Sequence, residues 1–243
     1  MSIIKLNAID STNSYLRKLC AETRLEDFTA VITNNQTHGK GQMGAVWRAE
    51  SSKNLTFSIY KDFASAEIEY PFYISIVTSL SIIKTLESLT IPKLNIKWPN
   101  DILAGNKKIC GILIENVYKH GRITKSIIGI GLNVNQTDFE NLPKASSLKL
   151  ISGKSYDIDE IAQSIISNLK YYVGLLSGGK FLELKEAYES YLFRKNKPST
   201  FKDAEGFMFA GIIQNVSESG CLQVLLEDEL LKEFDLKSIT LLY

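Results

Sequence analysis

The stretch Lys97-Trp98-Pro99-Asn100-Asp101, continuing through Lys108-Ile109-Cys110-Gly111-Ile112-Leu113-Ile114-Glu115, constrains this chain more than any other. Pro99 has no N–H to give to a central ladder, so the strand that enters at Lys97 must end or bulge near it. Ala104-Gly105-Asn106-Lys107 is a short polar turn in which Gly-Asn favours a hairpin, and Ile112-Leu113-Ile114 suits a buried strand. The pattern is a strand, a turn and a second strand. It exposes Asn100 and Asp101 at a bent strand end flanked by Lys97 and Lys108. A carboxylate, an amide and two ammonium groups there could handle phosphate and Mg2+. They could also be the solvated charges of a surface hairpin, and the stretch taken alone leaves both readings open.

The rest of the composition sets the bounds. The 243 residues suffice for one large domain, or a large one with a small one. A net charge of +1 gives no field that would draw nucleic acid or a membrane surface. Cys20, Cys110 and Cys221 are an odd, widely spaced set without C-x-x-C, which argues against a disulfide framework or a zinc site and for a reducing cytoplasm. The N-terminus is too short and polar for a signal peptide. The longest apolar stretch, 72–89, carries Lys84 and Glu87 and reads as a buried helix.

Taken in order, 3–9 is an expected strand, and Asp10 or Ser11 caps a helix with Tyr15, Leu16, Leu19 and Cys20 at helical spacing. A strand at 29–33 runs into the glycine-rich loop 34–44, and 55–60 is the next strand. Pro71 opens a helix with Phe72, Ile76, Leu80, Ile83 and Leu86 on one face. The central hairpin and a strand over 126–132 follow, then a loop-rich stretch over 138–155. Asp157 or Asp159 caps a helix that Gly178-Gly179 ends, and a further helix runs over 181–193. After Arg194-Lys195-Asn196-Lys197-Pro198 the pattern changes to short alternating stretches between turns, which suggests a small β-barrel.

The loop Gly39-Lys40-Gly41-Gln42-Met43-Gly44 could bring backbone N–H groups to an anion, but it is neither a P-loop nor a dinucleotide fingerprint. The combination of motifs is more specific. Ser11-Thr12-Asn13 comes first, then Gln36 with Gly39-Lys40-Gly41-x-x-Gly44-x-x-Trp47, then Lys97-Trp98-Pro99-Asn100-Asp101. Lys108-x-x-Gly111-Ile112-Leu113-x-Glu115 and Gly129-x-Gly131-x-Asn133-x-Asn135 complete the series. In this order the set closely resembles the biotin–protein ligases, and the resemblance covers essentially the whole chain.

The resemblance implies an α+β fold: a mixed β-sheet with packed helices over residues 1–190, followed by a small SH3-like β-barrel over 195–243. It implies a ligase that forms a C–N amide bond. Biotin would be activated by ATP to biotinyl-5'-AMP, then transferred to a lysine of a biotin carboxyl carrier domain of acetyl-CoA carboxylase or another biotin-dependent carboxylase. ATP and Mg2+ are the expected cofactors, with none tightly bound. Residue by residue, it implies catalytic roles for Lys108, Lys40 and Asp101. Biotin contacts are implied for Ser11, Thr12, Asn13, Gln36, Gly39, Lys40, Gly41 and Lys108. ATP contacts are implied for Lys40, Trp47, Lys97, Asn100, Asp101, Lys108 and Asn133, and Mg2+ at Asp101. The chemistry suits these residue types: two anions must be held together and growing charge neutralised. Biotin's neutral ureido ring needs fixed donors and acceptors, and an unpaired buried polar group costs about 1–3 kcal/mol, which would help reject lipoate and fatty acids. Trp47 and Trp98 are expected to pack the walls of the site.

The chain departs from the family in its glycine loop. Where many members carry arginines, it has Lys40, Gln42 and Met43, so one charge remains without the bidentate fork. Ser11 lies so near the start that no N-terminal helix-turn-helix domain fits, and no DNA binding is expected. The protein is expected to be cytoplasmic, off the membrane, and a monomer or homodimer. The competing readings are a lipoate or octanoate ligase, whose upstream arginine pair is missing here, and a non-catalytic biotin- or nucleotide-binding module.

Overall fold

The computed structural model describes residues 2–64, 66, 68–140 and 142–243. Seven strands form a mixed sheet: β1 (Ile3–Ile9), β2 (Ala30–Gln36), β3 (Leu55–Asp62), β4 (Leu94–Lys97), β5 (Asp101–Ala104), β6 (Lys107–Lys119) and β7 (Arg122–Leu132). Their order is β1-β2-β3-β7-β6-β5-β4, with only β1 and β2 parallel among the paired strands. The helices are α1 (Thr12–Glu22), α2 (Phe72–Ser88), α3 (Leu148–Ser152), α4 (Ile158–Ser177) and α5 (Phe181–Ser190). No helix is long and apolar enough to cross a membrane among the described residues.

Strand alternation divides the sheet into two unlike faces. Leu55, Phe57 and Ile59 of β3 and Ile128, Ile130 and Leu132 of β7 join the large core beneath α2, α4 and α5. The intervening residues face α1. There Val31, Tyr60 and Ile127 pack on Leu16 in a separate small core. Beyond that small core, the same parity on β3 and β7 gives Thr56, Ser58, Gly129 and Gly131. This end of the face is polar and low, and a cleft opens on it.

α1 starts as expected. The Ser11 hydroxyl accepts from the Ser14 N–H, and the Ser11 N–H donates to Asp10. Asp157 caps α4 by accepting from the N–H groups of Asp159 and Glu160. Three expectations need correction. Lys97–Asp101 is not the end of a single strand. The chain reverses through Trp98-Pro99-Asn100, so that Lys97 of β4 pairs with Asp101 of β5. The loop over 138–155 contains α3, capped by Ser147. The last helix stops at Ser190, not at residue 193.

The C-terminal strands are β8 (Pro198–Asp203), β9 (Met208–Val216), β10 (Leu222–Leu226), β11 (Leu231–Phe234) and β12 (Ile239–Leu242). They form an antiparallel sheet in the order β11-β10-β9-β8-β12. This five-stranded antiparallel sheet is consistent with the expected SH3-like unit, and no ladder joins β11 to β12 among the described residues. This sheet is joined to the rest. The Glu189 carboxylate accepts from the Val216 N–H at 3.1 Å and from Lys195 at 3.2 Å. The Trp98 indole N–H donates to the Gly220 carbonyl at 2.9 Å. Trp98 therefore packs towards the second sheet and not on the cleft, contrary to expectation.

Candidate active site

The cleft is bounded by the start of α1, the glycine loop, the bend before β5 and the small-residue face of β6 and β7. Ser11, Thr12, Asn13, Gln36, Lys40, Gly41, Trp47, Asn100, Asp101 and Lys108 all line it. Thus the Lys108 end and the Ser11–Gln36 end share one cavity. Gly39, Lys97 and Asn133 do not line it. Gly39 lies behind the wall, where a Cβ would stand 2.2 Å from the Trp47 carbonyl oxygen. Asn133 is buried and donates to the Ser146 carbonyl. The free volume is about 190 Å³, below the ~300–1,000 Å³ of pockets for drug-sized ligands. Gly41, Gln42 and Trp47 form part of its wall.

Lys108 reaches the cleft because of a bulge. Between β5 and β6, Leu103 pairs with Lys108 and Ile102 with Cys110, so Ile109 is unopposed. An extra residue breaks strand parity. Without it Lys108 would share the helix-side face with Cys110 and Ile112. With it, the ammonium lies within 3.4 Å of where a Cβ on Gly111 would be. The backbone of Lys108 is held on both sides: its N–H donates to the Lys144 carbonyl at 2.7 Å, and its carbonyl accepts from Ser146 at 3.0 Å. The Lys108 ammonium pairs with Asp101 at 2.6 Å and lies 5.7 Å from the centre of the Trp47 ring.

Lys97 stands behind this pair, 3.9 Å from Asp101. Burial pulls its ammonium below the ordinary lysine value. Lys108 and Lys144 act in the same direction, and Asp101 opposes them. Lys97 and Lys144 also approach the ring of Tyr243, at 5.3 and 4.1 Å. The corner thus holds Lys97 and Lys108 on one carboxylate, with Lys144, which donates to the Tyr243 main-chain oxygen, beside them, an arrangement suited to a polyanion. Cys110, beneath it, is fully buried and its thiol is pushed far up by desolvation, so it offers no thiolate nucleophile.

At the other end the groups are neutral. The Gln36 amide oxygen accepts from the Thr12 N–H at 2.9 Å and lies 3.2 Å from its hydroxyl. Ser58, which sequence reading passed over, bridges Thr12 at 2.7 Å and Asn13 at 2.6 Å. Asn13 donates to Glu115 at 2.9 Å and to the Leu113 carbonyl at 3.3 Å. Lys40 does not face Lys108; it donates to the Ser14 hydroxyl at 2.8 Å. Asn100 holds the bend by donating to the Ile112 carbonyl at 2.8 Å.

The glycines of the motifs are clearances for these side chains. A Cβ at Gly131 would stand 2.4 Å from the Trp47 indole, and one at Gly129 would stand 2.3 Å from the Asn13 amide oxygen. The spacing Ile127-x-Gly129-x-Gly131 on a strand was the available signal: alternate residues shrink along one face. The indole N–H of Trp47 and the amide oxygen of Asn133 are buried without a protein partner among the described residues. Such orphans are rare enough in folded proteins to point to ligand contacts or to motion.

A model of the biotin/lipoate A/B protein ligase family matches residues 6–133, more than half of the chain. The bifunctional ligase/repressor BirA of Bacillus spizizenii is 31% identical over 194 residues, which is 78% of this chain and 59% of that protein. The biotin–[acetyl-CoA-carboxylase] ligase of Mycobacterium tuberculosis is 28% identical over 163 residues, 66% of this chain and 59% of that protein. The chain spans about six tenths of the length of these two relatives. Among solved structures, the biotin protein ligase of Aquifex aeolicus in complex with biotin and ATP superposes with a TM-score of 0.83 at 29% identity, covering 99% of this chain and 98% of that one.

Proposed function

The chain belongs to the biotin/lipoate A/B protein ligase family, and from that premise we propose that it is a biotin–protein ligase. The observation that carries the reading is the polarity of the single cleft: a neutral hydrogen-bonding end at Thr12 and Gln36, a cationic end at Lys108. A cyclic urea suits the first. A carboxylate meeting a triphosphate suits the second.

In the first step biotin's carboxylate attacks the α-phosphate of ATP, and pyrophosphate leaves. Lys108 stands where the two anions must meet, and Asp101 aims its ammonium. Lys97 and Lys108 offset the charge that builds on the phosphoryl oxygens. The Trp47 N–H, buried and unpartnered, is a donor available to the bound adenylate. In the second step a lysine amine of a carrier domain attacks the activated carbonyl, the amide C–N bond forms, and AMP leaves. The names of the relatives support a carboxylase carrier as the acceptor.

Among the described residues there is no cluster of three or more His, Cys, Asp or Glu, so no resident metal cage is built. Asp101 would be the one protein carboxylate beside a Mg2+ ion bound to the triphosphate, a role common for this ion, which would supply charge neutralisation there.

The test is biotin-dependent exchange of pyrophosphate into ATP, run beside lipoate and octanoate. Biotin alone should support it. Lys108→Ala should lower exchange about a hundredfold or more, with the protein still folded but its melting temperature lower, because Asp101 is only 14% exposed and an unpaired buried acceptor costs about 1–3 kcal/mol. Exchange with lipoate or octanoate and not biotin would reassign the substrate. No exchange with any acid would leave a binding module.

A further inference from the structure

Glu115 closes the Lys108–Glu115 motif within β6, yet neither step above uses it. From its contacts we infer that Glu115 is a positioning residue that sets the hydrogen-bond polarity of the vitamin end of the cleft, acting through Asn13 and Ser58. This rests on the biotin-ligase reading.

The two groups facing the Asn13 amide nitrogen, the Glu115 carboxylate at 2.9 Å and the Leu113 carbonyl at 3.3 Å, can only accept. The NH2 of Asn13 must therefore face them, and its oxygen must face Ser58. That oxygen accepts, so the single Ser58 proton goes to it, across 2.6 Å. Ser58 then has only lone pairs left for Thr12, and in their 2.7 Å contact Thr12 must be the donor. With its proton committed to Ser58 across the shorter 2.7 Å contact, Thr12 does not donate to the Gln36 amide oxygen 3.2 Å away, and its hydroxyl offers lone pairs to the cleft. The Gln36 amide oxygen is fixed by the Thr12 N–H, which leaves the Gln36 NH2 as a donor. An acceptor on Thr12 and a donor on Gln36, which packs against Gly39, line the same cavity and match the N–H and C=O of a cyclic urea.

Nothing steric enforces this order. The Asn13 amide lies flat on Gly129, and its oxygen and nitrogen are almost the same size, so a flipped amide fits equally well. Two acceptor-only groups decide between the states, and the carboxylate is the nearer and charged one, at 2.9 Å against 3.3 Å for the Leu113 carbonyl. Arg17 anchors its other oxygen at 3.2 Å. Glutamine at position 115 can donate or accept. It leaves only the Leu113 carbonyl, at 3.3 Å, opposing the flip; in the flipped state Asn13 donates to Ser58, Ser58 to Thr12, and Thr12 turns a proton towards the urea N–H.

Glu115→Gln, Ser58→Ala, the double variant and Glu115→Asp are compared with the parent protein by pyrophosphate exchange and by calorimetric titration with biotin alone. Glu115→Gln should raise KM and Kd for biotin about tenfold, with kcat within about twofold. Glu115→Asp, still acceptor-only, should stay within about threefold. In the Ser58→Ala background the relay is already cut, so Glu115→Gln should add nothing further. Additive losses in the double variant, or an unchanged KM in Glu115→Gln, overturn the relay and leave the ligase reading intact. A fall in kcat and melting temperature at constant KM assigns Glu115 to the scaffold and also overturns it. A parent protein that neither binds biotin nor supports exchange overturns the ligase reading, and the relay falls with it.

Discussion

Gly131→Ala isolates one physical claim, that motif glycines on β7 exist to seat Trp47. The backbone of Gly131 does not have a positive φ, so alanine meets no conformational objection there. The objection is space alone. A Cβ would stand 2.4 Å from indole Cε2 and 2.6 Å from Cζ2 and Nε1. Carbon contacts prefer ~3.5–4.0 Å, so the ring must retreat by about 1 Å. Overpacking of this kind costs ~1–3 kcal/mol. Trp47 sits on the glycine loop, whereas β7 is paired on both sides, so the ring yields and the cost is near the low end. The melting temperature should fall by ~2–4 °C for about 1 kcal/mol in a chain of this size. Exchange activity should fall at least about tenfold, because the cleft loses its indole wall beside Lys108. Gly174→Ala is the control of opposite sign. It lies within α4 with nothing within 4 Å of its Cβ position, and should gain ~0.8–1.0 kcal/mol. Exchange assays, thermal melts and tryptophan emission read these effects. Normal exchange and unshifted emission in Gly131→Ala would refute the seating argument.

Other outcomes follow from the same coordinates. The free volume at the cleft is too small for vitamin and nucleotide together with the loop where it stands, so biotin with ATP should alter the rate of limited proteolysis within 39–47; equal cleavage with and without ligands counts against loop movement. Glu189→Ala strands the Val216 N–H and unpairs Lys195, so stability should drop by ~1–3 kcal/mol in a denaturant titration. Tyr60, by burial, and Tyr191, by its bond to Glu87, are both pushed up to about 12. Between pH ~10 and ~12 the unfolded chain releases protons that the folded one retains. Stability should therefore decline through that window, and Tyr191→Phe should flatten part of the decline.

Much was legible before any coordinates. Local signals narrowed the cap of α1 to Asp10 or Ser11 and that of α4 to Asp157 or Asp159, and placed Pro71 at the entry to α2 and Gly105-Asn106 in a turn, because each rests on chemistry within a few residues. The order of the motifs carried the family. Trp98 was misread because an aromatic beside a motif residue looks like a wall of the same site, and only the docking of the second sheet shows its N–H spent on Gly220. Ser58 was invisible because a serine in an apolar strand has no local pattern to distinguish it.

The sequence by itself determined which side chains were available and roughly where strands and helices begin, since capping, turn chemistry and alternation act at short range. What each side chain faces was decided by tertiary structure. One unopposed residue, Ile109, turns Lys108 from the helix-packed face to the cleft. Asn13, nominated as a ligand contact, spends both amide protons on Glu115 and Leu113, a hundred positions away in the chain. Strand parity is a property of the ladder and hydrogen-bond polarity a property of the network, so neither exists until distant segments have paired.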